Sequence, residues 1–373
     1  MAHSGAVSRE FWRGRRVLVT GHSGFKGSWL VSWLLELGAE VSGLSLPPPT
    51  TPSLFEAIGL QKRILHHEVD IRDLASVRRV VTESSPEIVF HLAAQPLVRE
   101  SYRTPVETYA TNVMGTVHLL DAVRSTPGVR GMVVVTTDKC YENREWDWGY
   151  RETDHLGGFD PYSNSKGCAE LVVAAYRNSF LGPASGTCVA SARAGNVIGG
   201  GDWSAERLIP DAARAFSAGL PVEIRNPAST RPWQHVIEPI RGYLVLAQAC
   251  IEQPERAAGA WNFGPRDEDA VSVADVMDRF AGRWGAGARW QSSAQSQAGL
   301  HEARLLKLDC SKARAGLGWT PQIPLERGIE LTAEWYRAFY AQAGEAALRA
   351  LLWSQIERHG MGAELRAQKI VNG

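Results

Sequence analysis

The chain carries no excess of charge of either sign, its 373 residues holding 40 Lys and Arg against 40 Asp and Glu. Such a balance leaves no broad basic field for nucleic acid or an anionic membrane, so an anionic ligand must be met by a local cluster. Cysteine is scarce. The five that occur, Cys140, Cys168, Cys188, Cys250 and Cys310, are odd in number and scattered, with no spacing suited to a metal or a redox dithiol. They read as reduced, structural cysteines of a cytoplasmic protein. Long apolar runs are missing as well. Met1 to Arg16 mixes Ser, Gly, Arg and Glu without the apolar stretch of a secretory signal, and Leu30 to Leu37 is interrupted by Ser32 and Glu36 and is too short to span a bilayer. Repeats and low-complexity tracts are absent, and no metal, nucleic acid or membrane is expected as a partner.

What is present is ample core material, 44% hydrophobic residues, in a chain long enough for a large domain and a smaller one. The first half alternates two kinds of segment. Arg16 to Thr20, Glu40 to Leu46, Leu65 to Val69 and Ile88 to Ala93 read as strands, and Ser28 to Leu37 and Ala75 to Thr82 as helices between them. Thr108 to Val123 is a further helix, Met132 to Val135 a strand, Pro161 to Asn178 a long helix and Thr187 to Ala192 a strand. This alternation predicts an α/β fold, a doubly wound parallel sheet of Rossmann type with right-handed crossovers. Pro47, Pro48, Pro49 and Pro52 mark a loop. Beyond Arg193 the rhythm turns irregular and rich in Gly, Pro and Trp. That shift divides a dinucleotide-binding domain, 1–192, from a smaller, mainly substrate-binding domain, 193–373, whose chain can cross back to the first. The thirteen tryptophans read as core or interface packing.

Gly21, Gly24 and Gly27 directly follow a strand and open a helix, the setting in which glycines let a backbone approach a pyrophosphate. The bland alternative is a ligand-free glycine turn. The stretch about twenty positions on, where a carboxylate would hold an NAD ribose, reads Gly43-Leu44-Ser45-Leu46 without one. Lys26 inside the turn could reach the extra phosphate of NADP instead. Asp70, followed by Ile71, could meet the adenine amino group or cap the helix after Arg72.

Tyr162 and Lys166 stand at i and i+4, a phenol and an ammonium on one helix face. A phenol titrating near ~10 needs about 4 kcal/mol of preferential phenolate stabilisation to act as a base near neutrality, which an adjacent Lys and a nicotinium can supply. Thr137, at the end of the preceding strand, could bond the same substrate hydroxyl. Asp138 and Lys139 beside it add an acid and a base to a site that redox chemistry alone does not require. Otherwise Asp138 caps a turn and Lys139 is a solvated charge.

Together with His91-Leu92-Ala93-Ala94, Gly157 to Tyr162, Gly195 to Trp203 and Arg231 to Val236, these motifs resemble the extended short-chain dehydrogenase/reductase superfamily. More narrowly, the chain is similar to its nucleotide-sugar 4,6-dehydratases from Trp12 to Tyr340, and to the branch acting on a cytidine-diphosphate sugar, although no residue singles out cytosine. The resemblance implies NAD as cofactor, held by Gly21, Gly24, Phe25, Lys26, Gly27, Asp70, Ile71, Ala93 and Ala94 with Tyr162 and Lys166. It implies a nucleotide-sugar substrate contacted by Gln95, Asn196, Arg207, Arg231 and His235, of which Arg207 and His235 read equally well as structural. It further implies a homodimer formed by the helices 108–123 and 162–177. Where the thymidine-nucleotide relatives have Asp and Glu, this chain has Asp138 and Lys139. Asp138 would then be the acid of an elimination, and Lys139 either its base, if neutral, or a cation stabilising the enolate. An epimerase of the same fold and a non-catalytic cofactor sensor are the competing readings.

Overall fold

The computed structural model describes residues 5–293 and 305–360, so the first four residues of the segment Met1 to Arg16 lie outside it. Seven strands make one parallel sheet: β1 (Arg16–Thr20), β2 (Glu40–Ser45), β3 (Leu65–Glu68), β4 (Ile88–His91), β5 (Gly131–Val135), β6 (Cys188–Ala194) and β7 (Gly259–Phe263). Their order is β7-β6-β5-β4-β1-β2-β3, all neighbours parallel. The strand order reverses at β1, which opens a crevice at the carboxyl ends of β1 and β4. This is the expected doubly wound fold.

Both faces of the sheet are covered. Val17 and Val19 of β1 pack into the layer that holds α1 (Phe25–Glu36), while Leu18 packs with Val77 and Leu119 on the opposite side. A strand buried on both faces has no reason to alternate polar and apolar residues. The second layer is α2 (Leu74–Ser84), α3 (Gly115–Arg124) and α4 (Pro161–Ser179); α5 (Ile237–Glu252) joins α1 against β5 and β6.

Three expectations need correction. Helix α1 begins at Phe25 rather than Ser28, because Gly24 takes the extended N-cap conformation and the Phe-Lys-Gly that follows already winds. The helix expected from Thr108 starts at Pro105, where a fixed φ suits the first turn, and passes through a π-helical turn at Ala110–Met114 before α3. That turn aims Asn112 inward, where its amide bonds Gln95 and the Ser165 hydroxyl. The region after Arg193 is not irregular: it holds α5 and the helices Leu325–Tyr340 and Glu345–His359. The chain also returns to the large sheet through β7. Short strand pairs, Val222–Ile224 with Trp290–Ser292 and Thr230–Pro232 with Ala270–Ser272, flank the crevice.

Tryptophans 12, 29, 33, 261, 319 and 335 are fully buried, whereas Trp148 is exposed. Among the described residues no helix is long and apolar enough to cross a membrane, and no cluster of His, Cys, Asp or Glu could hold a metal ion.

Three buried histidines make the fold acid-sensitive. Burial, with neighbouring His66, pushes His22 down to about 4; burial, with Lys166, pushes His91 to about 3; burial, with His359, pushes His235 to about 3. Each is neutral in the folded chain and takes up a proton near 6.5 when unfolded, so its contribution is complete above that pH and is lost as pH falls toward 4. Denaturant unfolding followed from about pH 7.5 to about pH 4.5 is expected to show a loss of up to about 3 kcal/mol per histidine. A stability flat across that interval would contradict the burial of these rings as neutral groups.

Candidate active site

The crevice deepens into a cavity of ≈ 1450 Å³. Every site residue named from the sequence lines it except His235.

At its floor the turn from β1 to α1 is shaped by two glycines. Gly21 has φ +71°, and a Cβ there would lie 2.6 Å from the Ala93 nitrogen; one on Gly27 would lie 2.2 Å from the Gly21 carbonyl. Both positions exclude any side chain. Gly24, the N-cap of α1, offers no side-chain cap, so the first N–H groups of a twelve-residue helix face the cavity together with its positive dipole end. That donor set fits a pyrophosphate. Ser45 at the end of β2 donates to Ser23 at 2.8 Å, tying the turn to the sheet.

Two expectations at the adenosine end change. Asp70 does not cap the next helix; Asp73 does, accepting from Ala75 and Ser76. The Asp70 carboxylate instead chelates Arg72 at 2.6 to 3.0 Å, and the pair lines the cavity. Lys26 stands beside Arg207, Asp138 and Asp202. Burial and the neighbouring Arg207 push it down to about 8, opposed by Asp138 and Asp202, so its charge is felt among the reacting groups rather than at the end of β2.

The chemical centre assembles from the ends of β5 and α4. Asp160 is the N-cap of α4, accepting from the Ser163 N–H at 2.9 Å, and Pro161 takes the first turn, which fixes Tyr162 against the cavity. Lys166, one turn on, donates to the Val135 carbonyl at 3.3 Å. Tyr162 is bonded to the Thr137 side chain, but burial outweighs that contact and pushes the phenol up to about 12. Burial also lowers Lys166 to about 8, with Glu170 and Cys140 opposing.

Thr137 caps a single 3-10 turn, Asp138–Cys140, by accepting from the Lys139 N–H at 3.3 Å. The cap is therefore Thr137, and Asp138 is free for another role. The Thr137 hydroxyl donates to Asp138 at 2.9 Å. Asp138 is 4% exposed, and burial raises its pKa against the opposing pull of Lys139, Thr137 and Lys26. Gly195 leaves room for it: a Cβ there would lie 2.9 Å from the carboxylate. Lys139 is half-buried on the cavity wall.

On the substrate side Asn196, Arg207 and Arg231 line the cavity, with Arg207 paired to Asp202 at 2.8 Å. Gln95 lines it too, yet its amide donates to Thr108 and accepts from Leu97, so both polar ends brace the loop after β4. His235 is a correction. It is 1% exposed, packs edge-on against Trp29 with ring centroids 5.6 Å apart and accepts from the Ile237 N–H, behind the cavity wall. Sequence reasoning missed Asp202, Arg99 and the buried pair Glu170 and Arg193; only the i+4 spacing of Glu170 from Lys166 hinted at any of them.

Residues 18–332 match the family model for GDP-mannose 4,6 dehydratase. The chain belongs to that family. Among relatives of this dehydratase-family chain is the CDP-glucose 4,6-dehydratase of Salmonella typhimurium, 53% identical over 337 residues that cover 89% of this chain and 93% of that one. The dTDP-glucose 4,6-dehydratase of Neisseria gonorrhoeae is 28% identical, covering 86% and 95%. Solved structures of similar shape include the UDP-glucose 4-epimerase of Thermus thermophilus in complex with NAD, with a TM-score of 0.73, 28% identity and 86% and 99% covered. Another is MoeE5 in complex with UDP-glucuronic acid and NAD, with a TM-score of 0.72, 28% identity and 87% and 99% covered.

Proposed function

We propose that this chain is an NAD-dependent hydro-lyase that converts CDP-glucose to CDP-4-keto-6-deoxyglucose and water. The observation that carries the reading is a single cavity lined by both a Tyr–Lys–Thr set and a buried acid, Asp138, beside Lys139. The 53% identity to a CDP-glucose 4,6-dehydratase supports the base and the sugar.

The glycine turn and the N-terminus of α1 would hold NAD, which when bound takes a hydride from carbon 4 of the sugar and later returns it to carbon 6. Tyr162 removes the 4-hydroxyl proton, Thr137 orients that hydroxyl, and Lys166 stabilises the phenolate. Asp138 protonates the departing 6-hydroxyl, a role suited to a carboxyl whose pKa is raised by burial. Lys139 takes the carbon 5 proton and returns it there once carbon 6 has regained the hydride, or, as a cation, stabilises the enolate while another base of the cavity moves that proton. Arg231, Arg207 and Asn196 bind the diphosphate, with guanidinium forks matched to phosphate oxygens. An epimerase would have no use for Asp138 and Lys139.

Purified chain assayed with CDP-, dTDP-, UDP- and GDP-glucose is expected to eliminate water from CDP-glucose fastest, read as a keto-sugar absorbing in the near ultraviolet in base. Epimerised sugar without that absorbance would sink the reading.

We further assign residues 1–192 to cofactor binding and 193–373, apart from α5 and β7, mainly to the nucleotide sugar. A homodimer is supported by exposed apolar residues on adjacent helices, Val106, Tyr109, Met114 and Leu171, with Phe180 at the end of α4, which sedimentation at twice the chain mass would check. The balanced charge and free cysteines fit a cytoplasmic enzyme of deoxysugar biosynthesis that supplies O-antigen or lipopolysaccharide, which fractionation of the source cells would test.

A further inference from the structure

Behind the cavity lies a buried ion pair that forms no part of its lining. Glu170 and Arg193 are each 3% exposed and bonded at 2.8 Å. The Glu170 carboxylate, on α4, also accepts from Thr136 at the end of β5 at 2.5 Å and from Ser191 of β6 at 2.7 Å. Those donors hold it ionised, so it is no general base. Its other neighbour is Lys166, one turn earlier on the same helix, whose ammonium it supports against desolvation. Arg193 extends the network in the opposite direction. It donates to the Tyr141 hydroxyl at 2.8 Å, its guanidinium lies 4.9 Å from the centre of the Tyr141 ring, and Tyr141 donates in turn to Asn262 of β7 at 2.7 Å. Tyr141 is the residue that closes the Asp138–Cys140 turn.

A buried ion pair is costly to desolvate, and an apolar pair of similar volume often serves stability as well. What an apolar pair cannot do is join α4, β5, β6 and the turn through directed bonds. Thr136 is fixed on one side of the chain while its neighbour Thr137 faces the reacting groups.

We propose that Glu170 and Arg193 are positioning residues that hold the Asp138–Tyr141 turn in register with Tyr162 and Lys166, so that elimination follows hydride removal within one geometry. The proposal rests on the dehydratase reading. It makes the two ends of the network unequal: Tyr141 closes the elimination turn and bonds Arg193 and Asn262 away from Lys166, whereas Glu170 also faces Lys166.

The test compares wild type, Tyr141→Phe and Glu170→Gln, substitutions that keep volume and shape, in single turnovers with NAD and CDP-glucose. No turnover by wild type would refute the dehydratase reading itself and leave this comparison without an object. With wild type active, Tyr141→Phe is expected to lower overall kcat about tenfold with KM within about twofold, while the first half-reaction stays within about threefold. Near-ultraviolet absorbance of reduced nicotinamide then builds up during the turnover. Glu170→Gln is expected to slow the first half-reaction as well, by about tenfold or more. If Tyr141→Phe leaves kcat unchanged, or slows both half-reactions alike without that absorbance, the pair is merely structural and the proposal is overturned. Should Glu170→Gln fail to fold, Tyr141→Phe alone decides.

Discussion

Tyr162→Phe is expected to cut kcat by about a hundred- to ten-thousand-fold with little change in KM, since one hydroxyl is removed from the residue proposed as base. The ring would still fill its buried place, so the folded structure and the cavity wall are retained. The demand on this hydroxyl is greater than the sequence suggested. Burial pushes the phenol up to about 12, so acting near neutrality requires roughly 7 kcal/mol of phenolate stabilisation rather than the ~4 kcal/mol of a free tyrosine. Lys166, lowered to about 8, is mostly an ammonium at neutral pH and supplies part of this, and the positive nicotinium of the cofactor supplies more. The protein alone therefore leaves Tyr162 protonated, which keeps the base inactive until the cofactor is in place. Thermal unfolding of the variant should match wild type. Turnover within about tenfold of wild type would remove Tyr162 from the role of base.

The sheet was legible in the sequence because β1, β4 and β5 are continuous apolar runs set off by a glycine turn and by polar strand ends. The residues proposed as catalytic were drawn together for a related reason: they sit at those strand ends and on one turn of a capped helix, so spacing in sequence became proximity in space. Helix α5 was hidden because it is buried from Ile237 to Cys250 on every side, which erases the periodicity that marks a helix lying against solvent. His235 misled because a polar ring beside an arginine-bearing motif looks like a ligand, whereas its position beside Trp29 is visible only once α1 and α5 are packed. The charged neighbours of Lys26 were equally out of reach, being set by how the turn winds into α1. Glu170 and Arg193 come from different elements, and no local pattern announces that they meet.

Asp138→Asn tests the other half of the site. Asn retains the oxygen that accepts from Thr137 and fits beside Gly195, so the turn and its cap should persist. What disappears is a group able to give up a proton. A carboxyl whose pKa is raised by burial disfavours its charged form, so a neutral amide there should leave stability at neutral pH unchanged or slightly higher. Hydride removal from carbon 4, assigned in the proposed mechanism to Tyr162, Thr137 and Lys166, should continue, while loss of the 6-hydroxyl slows by about a hundredfold or more without the proposed acid. The expected signature is therefore a mismatch: reduced nicotinamide forms at near wild-type rate on mixing with substrate and then persists, and solvent deuterium enters the keto-sugar product at a rate reduced with kcat. Pairing this variant with Lys139→Met separates the two roles open to Lys139. If it is the base, the second variant loses deuterium incorporation about as completely as turnover; if it is the cation, exchange is slowed but survives. Loss of both half-reactions together in Asp138→Asn, with the fold intact, would mean that Asp138 shapes the redox site and that the elimination acid lies elsewhere in the cavity.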